Sequence, residues 1–172
     1  LPEGRLIAGP REMLKPLANS ELMKTLAAQY AHEPVHGPLV GNVTDSTASF
    51  WVRTGKVSNV NVQITDPASG KKVGRSEDVK SRSSEDFTAV VSASDLEPNH
   101  EYQYSILIDG QPSQKKYSFR TLPPQAKASK FVIAFGGGAG YVPENERMWN
   151  TIGEFDPQAI LLLGDNVYID DP

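Results

Sequence analysis

The sequence predicts an all-β sandwich followed by the first βαβ unit of an α/β domain. Residues 36–121 alternate apolar and polar side chains with a period of two, a proline-led polar stretch follows, and strand-type and helix-type patterns succeed one another from residue 130. Alternation is typical of half-buried strands, whereas a strand–helix–strand order is typical of a parallel sheet. The predicted divisions are an N-terminal extension (1–35), a sandwich (36–121), a linker (122–129) and the start of a second domain (130–172).

The N-terminal extension contains one predicted short helix. Its first sixteen residues include three prolines and show little periodicity. A helix is expected from Asn19 or Ser20 to Tyr30, because a polar cap precedes a run of good helix formers. The apolar stripe of this helix comprises Leu22, Met23, Leu26 and Tyr30. No basic face opposes the stripe, so we expect it to pack on a neighbouring element rather than on a membrane surface.

About seven short strands separated by turns are expected in the sandwich. The clearest are Pro38–Val43, Ala48–Thr54, Asn59–Thr65, Phe87–Ser92, Glu101–Ile108 and Tyr117–Thr121. In the third of these, Val60, Val62 and Ile64 are expected to point inward. Turns are expected at Asp66–Gly70, from its composition, and at Asp109-Gly110, which is typical of a tight hairpin.

One segment makes the sandwich more specific. The stretch from Leu96 to Tyr104, with Tyr102 at its centre, resembles the tyrosine corner of fibronectin type III domains. This resemblance implies that the Tyr102 hydroxyl bonds to the backbone just upstream and that Leu96 fills the core. Trp51 matches the core tryptophan of that family. We therefore expect a fibronectin type III-like sandwich with both Trp51 and Tyr102 in its core.

The second domain begins with one βαβ unit. Lys130–Phe135 and Ala159–Leu163 are expected strands, and Pro143–Phe155 is an expected helix. The helix carries Met148, Trp149, Ile152 and Phe155 on one face. A lone βαβ unit cannot cover a parallel sheet on both sides. The remainder of this domain is therefore expected to be missing from the chain.

Composition excludes several functional classes. The net charge of −4 argues against a nucleic-acid-binding surface, because phosphate binding needs clustered lysine and arginine. The absence of cysteine removes disulfides, thiolate metal sites and cysteine nucleophiles. No apolar stretch is long enough to span a membrane. The chain begins with leucine, so a longer precursor is expected, and a removed signal peptide would leave no trace.

Oxygen donors are concentrated behind the last apolar run. Those that follow Gly164 are Asp165, Asn166, Tyr168, Asp170 and Asp171. Ligands bind at strand ends in open α/β sheets, and carboxylate, amide and phenol oxygens suit Mg, Mn, Ca or Fe(III). We expect a metal site here. Asp170 and Asp171 either line this site or are solvated loop acids, and we favour the second interpretation. The alternative for Asp165 is a side chain that caps a turn.

A glycine-rich turn, Gly136 to Gly140, lies between the first strand and the helix of the βαβ unit. This is the context of a phosphate-binding loop, but the G-x-G-x-x-G pattern with a ribose-binding acid is missing, as is the Gly-Lys-Ser/Thr of a P-loop. We favour a tight turn that lets the backbone approach a metal or substrate, since glycine tolerates such geometry without strain. Nucleotide binding by this turn is the alternative.

The segment Gly164-Asp165-Asn166-Val167-Tyr168 resembles the second signature block of metallophosphoesterases, specifically purple acid phosphatases and PhoD-like alkaline phosphatases. The order of the preceding parts is also similar to PhoD-like enzymes: the sandwich opening at His36, the linker, and the strand that ends at Gly136. The resemblance covers residues 37–172. It implies a metal-dependent hydrolase of phosphate esters that is exported to the periplasm or out of the cell.

Carried over residue by residue, the resemblance implies that Asp165 bridges two metal ions and that Tyr168 binds Fe(III). The ions would be drawn from Ca, Fe, Mn and Zn, and Asn166 is a further candidate ligand. Related enzymes have a cysteine or aspartate ligand after the first strand, where this chain has Gly136, Gly137 and Gly138. Either a different residue completes the site, with Tyr141 as the nearest candidate, or the metal complement differs. The later Gly-Asn-His-Glu and histidine blocks are absent, and His32, His36 and His100 lie in or before the sandwich.

The sequence therefore predicts the N-terminal fragment of a phosphoric ester hydrolase of alkaline phosphatase or phosphodiesterase type. The fragment is expected to be inactive by itself. The alternative, from a different functional class, is a non-catalytic β-sandwich module for binding or adhesion.

Overall fold

Two antiparallel sheets pack face to face in the first part of the chain. The computed structural model describes residues 20, 21, 25, 30–125, 127–138 and 147–165. In the first sheet, strands β1 (His36–Gly41), β2 (Ala48–Arg53), β7 (Thr88–Ser94) and β5 (Arg75–Ser76) are adjacent in that order. In the second, β10 (Tyr117–Arg120), β8 (Glu101–Ile108), β3 (Asn59–Thr65) and β4 (Lys72–Val73) are adjacent, while β6 (Val79–Lys80) pairs with β3 and β9 (Gln111–Pro112) with β8. This order is that of an immunoglobulin-type sandwich, so the predicted all-β sandwich is confirmed.

The core lies between the two sheets and follows from strict alternation along the strands. Every second residue of β2, β3 and β7 is buried, and the intervening residues face outward. The inward direction predicted for Val60, Val62 and Ile64 is confirmed. The ring of Phe50 lies 4.6 Å from that of Tyr104, between ring centroids, and 5.4 Å from that of Phe119. Burial of each large apolar side chain contributes about 1.5–3 kcal/mol, so this shared core is the main source of stability.

Trp51 is not part of this core, and the prediction that it fills the tryptophan position of a fibronectin type III core is wrong. Its neighbours Phe50 and Val52 are fully buried, and successive side chains of a strand point to opposite faces. Trp51 is therefore half-buried on the outer face of the first sheet. The aromatic core position of β2 belongs to Phe50.

The tyrosine corner is present. Glu97 donates its backbone N–H to the Tyr102 hydroxyl at 2.7 Å, and Leu96 is buried in the core. The corner is closed from the other side by Thr121, whose hydroxyl donates to the Glu97 carbonyl at 2.6 Å and accepts the His100 backbone N–H at 3.0 Å. These bonds connect the loop before β8 to the end of β10.

Two predicted turns are confirmed, and the structure adds short strands that the sequence did not predict. Asp109 and Gly110, both with positive φ, form the two-residue turn between β8 and β9. The turn at Asp66–Gly70 joins β3 to β4. The strands that were missed are β4, β5, β6 and β9, each of two residues. Two-residue strands carry no periodicity, so an alternation pattern cannot reveal them.

A buried hydroxyl cluster closes one end of the sandwich. Thr54 and Ser81 are both buried, and their hydroxyl oxygens lie 2.8 Å apart. Thr54 also donates to the Lys56 carbonyl at 2.7 Å, while Ser81 accepts the Ser58 backbone N–H at 3.0 Å. The cluster gives each buried polar group a partner, which removes the cost of burying it unpaired.

The end of the N-terminal extension is attached to the sandwich. The Val35 backbone N–H donates to the Arg53 carbonyl at 2.8 Å, and Glu33 accepts the Gln114 N–H at 2.6 Å. Within the predicted helix, Glu21 and Thr25 are helical, and the other residues of its interior lie outside the described ranges.

A parallel strand pair follows the linker. Strands β11 (Ile133–Gly136) and β12 (Ala159–Leu162) pair in parallel, and helix α1 (Met148–Glu154) lies between them in the chain. The predicted helical residues 143–146 lie outside the described part of the chain. Among the described residues, no helix is long and apolar enough to cross a membrane.

We expect Tyr102→Phe to lower the free energy of unfolding by about 1–3 kcal/mol, because the Glu97 N–H loses its acceptor in a partly buried position. Urea denaturation followed by circular dichroism measures this change. Tyr117→Phe is the matched control. The Tyr117 ring stacks on Tyr104, and its hydroxyl makes no hydrogen bond to any described residue, so a change within about 0.5 kcal/mol is expected. Equal losses in both variants would contradict the role of the corner.

Candidate functional site

The parallel register brings four of the predicted site residues, Gly136, Gly137, Gly138 and Asp165, to one edge of the small sheet. Ile133 pairs with Ala159, and Gly136 pairs with Leu162, so β11 and β12 end level with one another. The chain segments that leave these strands, 137–138 and 163–165, therefore emerge side by side. This is the edge at which α/β sheets place their ligands.

Main-chain contacts hold the two segments together. The Leu163 N–H donates to the Gly136 carbonyl at 2.8 Å, and the Gly138 N–H donates to the Gly164 carbonyl at 3.3 Å. A Cβ atom added to Gly137 would lie 3.0 Å from the Gly164 carbonyl oxygen. The two backbones approach so closely here that a side chain at position 137 would require the Gly164 carbonyl to shift by a few tenths of an ångström.

Asp165 lies directly behind this contact and is exposed. Its φ of 51° is in the left-handed region, which aspartate tolerates better than most residues. The structure thus brings Asp165 next to Gly136, Gly137 and Gly138, while the other candidates, Tyr141, Asn166 and Tyr168, lie outside the described residues. The carboxylate is a hard-oxygen ligand that Mg, Ca or Mn accepts.

The described donors fit a metal only in part. Within the ranges that the structure describes, no group of three His, Cys, Asp or Glu residues is placed to hold a metal ion. Asp165 supplies one carboxylate, and the glycine turn supplies no side-chain donor. A complete site needs ligands beyond these residues.

The three histidines form hydrogen bonds with residues of the sandwich. His32 donates from Nδ1 to the Ile108 carbonyl at 3.1 Å, and His36 Nδ1 accepts a bond from Arg53 at 3.4 Å. His100 donates from Nε2 to Asp66 Oδ2 at 2.6 Å. Each of these contacts is made within or beside the two large sheets.

Asp66 is the most strongly perturbed carboxylate described. Hydrogen bonds from the hydroxyl and the backbone N–H of Ser69, followed by that from His100, lower the pKa of Asp66 from 3.8 to about 2. These donors stabilise the charged form. Asp66 accordingly closes the β3–β4 turn and connects it to the loop that carries His100, which is a structural role.

Sequence reasoning missed an apolar row on the outer face of the first sheet. Leu39 of β1, Trp51 of β2 and Val90 of β7 are in register, and Leu39 and Val90 are 64% and 52% exposed. Beside the row lies a groove of about 640 Å³, lined in part by Ser49, Ser92 and Arg75. The signal that reveals the row is the alternation of β2. If Phe50 points inward, its neighbour Trp51 points outward.

The described residues thus define a two-layer immunoglobulin-type β-sandwich that leads into a parallel strand–helix–strand unit. Residues 31–126 match the family described as Domain of unknown function (DUF7800). The match covers more than half of the chain, and the chain belongs to this family. A search of the curated proteins gives no match.

Solved structures with a similar fold include that of PhoD, with a TM-score of 0.64 and 20% sequence identity. The match covers 75% of this chain and 27% of the PhoD chain, so this chain spans about a quarter of that protein. The sensor domain of the anti-sigma factor RsgI4 in Pseudobacteroides cellulosolvens matches with a TM-score of 0.39 and 18% identity, over 54% of this chain and 96% of its own. A computationally redesigned β-sandwich protein matches with a TM-score of 0.36 and 21% identity, over 51% of this chain and 93% of its own. The last two scores add nothing to the assignment of the fold.

The lowered pKa of Asp66 predicts an acid-dependent loss of stability. A carboxylate whose pKa is depressed on folding stabilises the native state above its unfolded pKa, and this contribution is lost as the pH falls through the folded value. We expect wild type to exceed Asp66→Asn in unfolding free energy above pH 4, and the difference to shrink between about pH 4 and pH 2. Chemical denaturation of both proteins at a series of pH values measures this difference in unfolding free energy. A difference that does not change with pH would contradict the charge-dependent role.

Proposed function

We propose that this chain is the N-terminal part of a metal-dependent phosphoric ester hydrolase related to PhoD. The observation that carries the proposal is the position of Asp165 at the carboxyl end of β12, beside the end of β11. The Gly-Asp-x-x-Tyr segment that resembles a metallophosphoesterase signature block therefore begins at the edge where such a sheet binds its ligands.

The fold comparison supports the same proposal. The likeness to PhoD covers 75% of this chain, which supports a relation between the two folds. Since the identity is 20%, the likeness concerns the fold, and the activity is our inference.

In this proposal Asp165 holds a metal ion through its exposed carboxylate, and Tyr168 and Asn166 are the next candidate ligands. When bound, a pair of ions taken from Ca, Fe, Mn or Zn supplies charge stabilisation for a phosphoryl group and activates a water molecule. The glycine turn leaves the edge of the sheet open to the substrate and places main-chain groups near it. The substrate is a phosphate ester, and the working protein is exported.

Exposed apolar side chains support the need for more protein around this unit. The large hydrophobic residues exposed on β11, α1 and β12 or just beyond them include Ile133, Phe135, Met148, Trp149, Phe155, Ile160, Leu161, Leu162 and Leu163. A parallel sheet is normally covered on both faces. We infer that further chain covers this sheet in the active protein, and that these 172 residues alone do not turn over substrate.

The second candidate is a binding module, and the outer face of the first sheet favours it. The row of Leu39, Trp51 and Val90 lies next to a groove that carries hydroxyl groups and a guanidinium. An apolar row beside hydrogen-bonding groups suits a carbohydrate, which presents an apolar face and polar edges. Retardation of the chain in native gels that contain a soluble polysaccharide, lost in Trp51→Ala, would favour this candidate over the hydrolase.

The hydrolase proposal predicts metal-dependent cleavage of p-nitrophenyl phosphate or its bis-ester by the protein expressed from its natural reading frame. We expect Asp165→Asn to reduce the rate about 100-fold or more, because charge stabilisation by a metal contributes several kcal/mol. Steady-state assays with added Ca²⁺, Mn²⁺, Fe³⁺ or Zn²⁺ measure the effect.

Asp156→Asn is the matched control for this assay. Asp156 is also an exposed aspartate with positive φ, but it precedes β12 and so lies at the opposite end of the strand. Its replacement is expected to leave the rate within about twofold. No hydrolysis with any of the four metals, or equal rates in Asp165→Asn and wild type, would contradict the proposal. Clear turnover by the 172-residue chain would contradict its inactivity.

A further inference from the structure

The three successive glycines after β11 have different surroundings. An added Cβ atom meets no other atom within 4 Å at Gly136, whereas at Gly137 it lies 3.0 Å from the Gly164 carbonyl oxygen. Gly138 has open space but a φ of +71°, which strains any other residue. Gly137 is therefore the glycine with the least room for a side chain, and the atom that limits this room is the main-chain oxygen of Gly164.

One peptide group connects the contact at Gly137 to Asp165. The Gly164 carbonyl that would be displaced belongs to the residue directly before Asp165, and it also accepts the Gly138 N–H at 3.3 Å. That bond is already long, so a shift of a few tenths of an ångström weakens it further. Gly164 has a φ of 108°, which glycine adopts readily, and Asp165 has a φ of 51°, an uncommon conformation for a residue other than glycine.

We propose that Gly137 is a positioning residue for Asp165. The absence of a side chain at 137 lets the Gly164 carbonyl rest against the turn after β11, and this contact sets the direction of the Asp165 carboxylate at the strand ends. A side chain at position 137 would press on the Gly164 carbonyl, so this residue contributes to the turn through its main chain. The role of Asp165 as a metal ligand rests on the proposed function. The close contact between Gly137 and the Gly164 carbonyl does not depend on it.

Gly137→Ala and Gly136→Ala form a matched pair that tests this role in the 172-residue chain. Hydrogen exchange of the Gly138 amide, followed by NMR, reports on the contact without any metal. We expect faster exchange in Gly137→Ala and unchanged exchange in Gly136→Ala. Resonances of the sandwich residues, such as Tyr102, show in the same spectra that each variant is folded.

Mn²⁺ titration provides the second measurement, through the paramagnetic broadening of the Asp165 amide and the amount of free Mn²⁺ seen by electron paramagnetic resonance. We expect the Kd to rise about tenfold in Gly137→Ala, as is usual when the support of a ligand is disturbed, and to stay within about twofold in Gly136→Ala. Asp165→Asn is expected to abolish the broadening.

The outcomes separate the two proposals. Mn²⁺ that binds through Asp165 with the same Kd in Gly137→Ala and Gly136→Ala would overturn the positioning role and leave the proposed function intact. Unchanged Gly138 exchange in Gly137→Ala would overturn it as well. Mn²⁺ that does not bind the wild-type chain, or binds equally in Asp165→Asn, would count against Asp165 as a metal ligand in the proposed function, and the exchange of the Gly138 amide would then decide the positioning role.

Discussion

The packing of two sheets against one shared apolar core is the constraint on which the rest of this structure depends. Phe50 is at the centre of that core, in contact with Tyr104 and Phe119 from the opposite sheet. Because strand side chains alternate, the inward choice of Phe50 determines the facing of every other residue of β2, including Trp51. The same packing brings Tyr102 to its corner. The polar closures at both ends of the sandwich then satisfy groups that the core would otherwise leave buried and unpaired.

The parallel unit is organised by a different principle. Its strands carry apolar residues that remain exposed, so burial within the described chain contributes little to its stability. What holds the candidate site is main-chain hydrogen bonding between two strand ends, together with a glycine where the backbones nearly touch. In the proposed function, this main-chain bonding positions the Asp165 carboxylate, and further protein covers the sheet and supplies the remaining ligands.

Prediction from sequence succeeded where a pattern repeats and failed where one residue had to be assigned to a face. The alternation in β3 and the Asp109-Gly110 turn were read correctly, because each depends on local chemistry. Trp51 was assigned to the core by resemblance, against the alternation of its own strand. The Thr54–Ser81 contact was not predicted, since it joins residues far apart in the chain and hydroxyl side chains give no periodic signal.

By itself, the sequence determined the sandwich, the tyrosine corner, the strand–helix–strand order and the residue types at the candidate site. All of these follow from periodicity, turn chemistry and local motifs, which act over a few residues. Only the tertiary structure decided the partners of His100 and the closeness of Gly137 to Gly164. These depend on which strand lies beside which and in what register, and a shift of one residue would reverse every side chain on the strand.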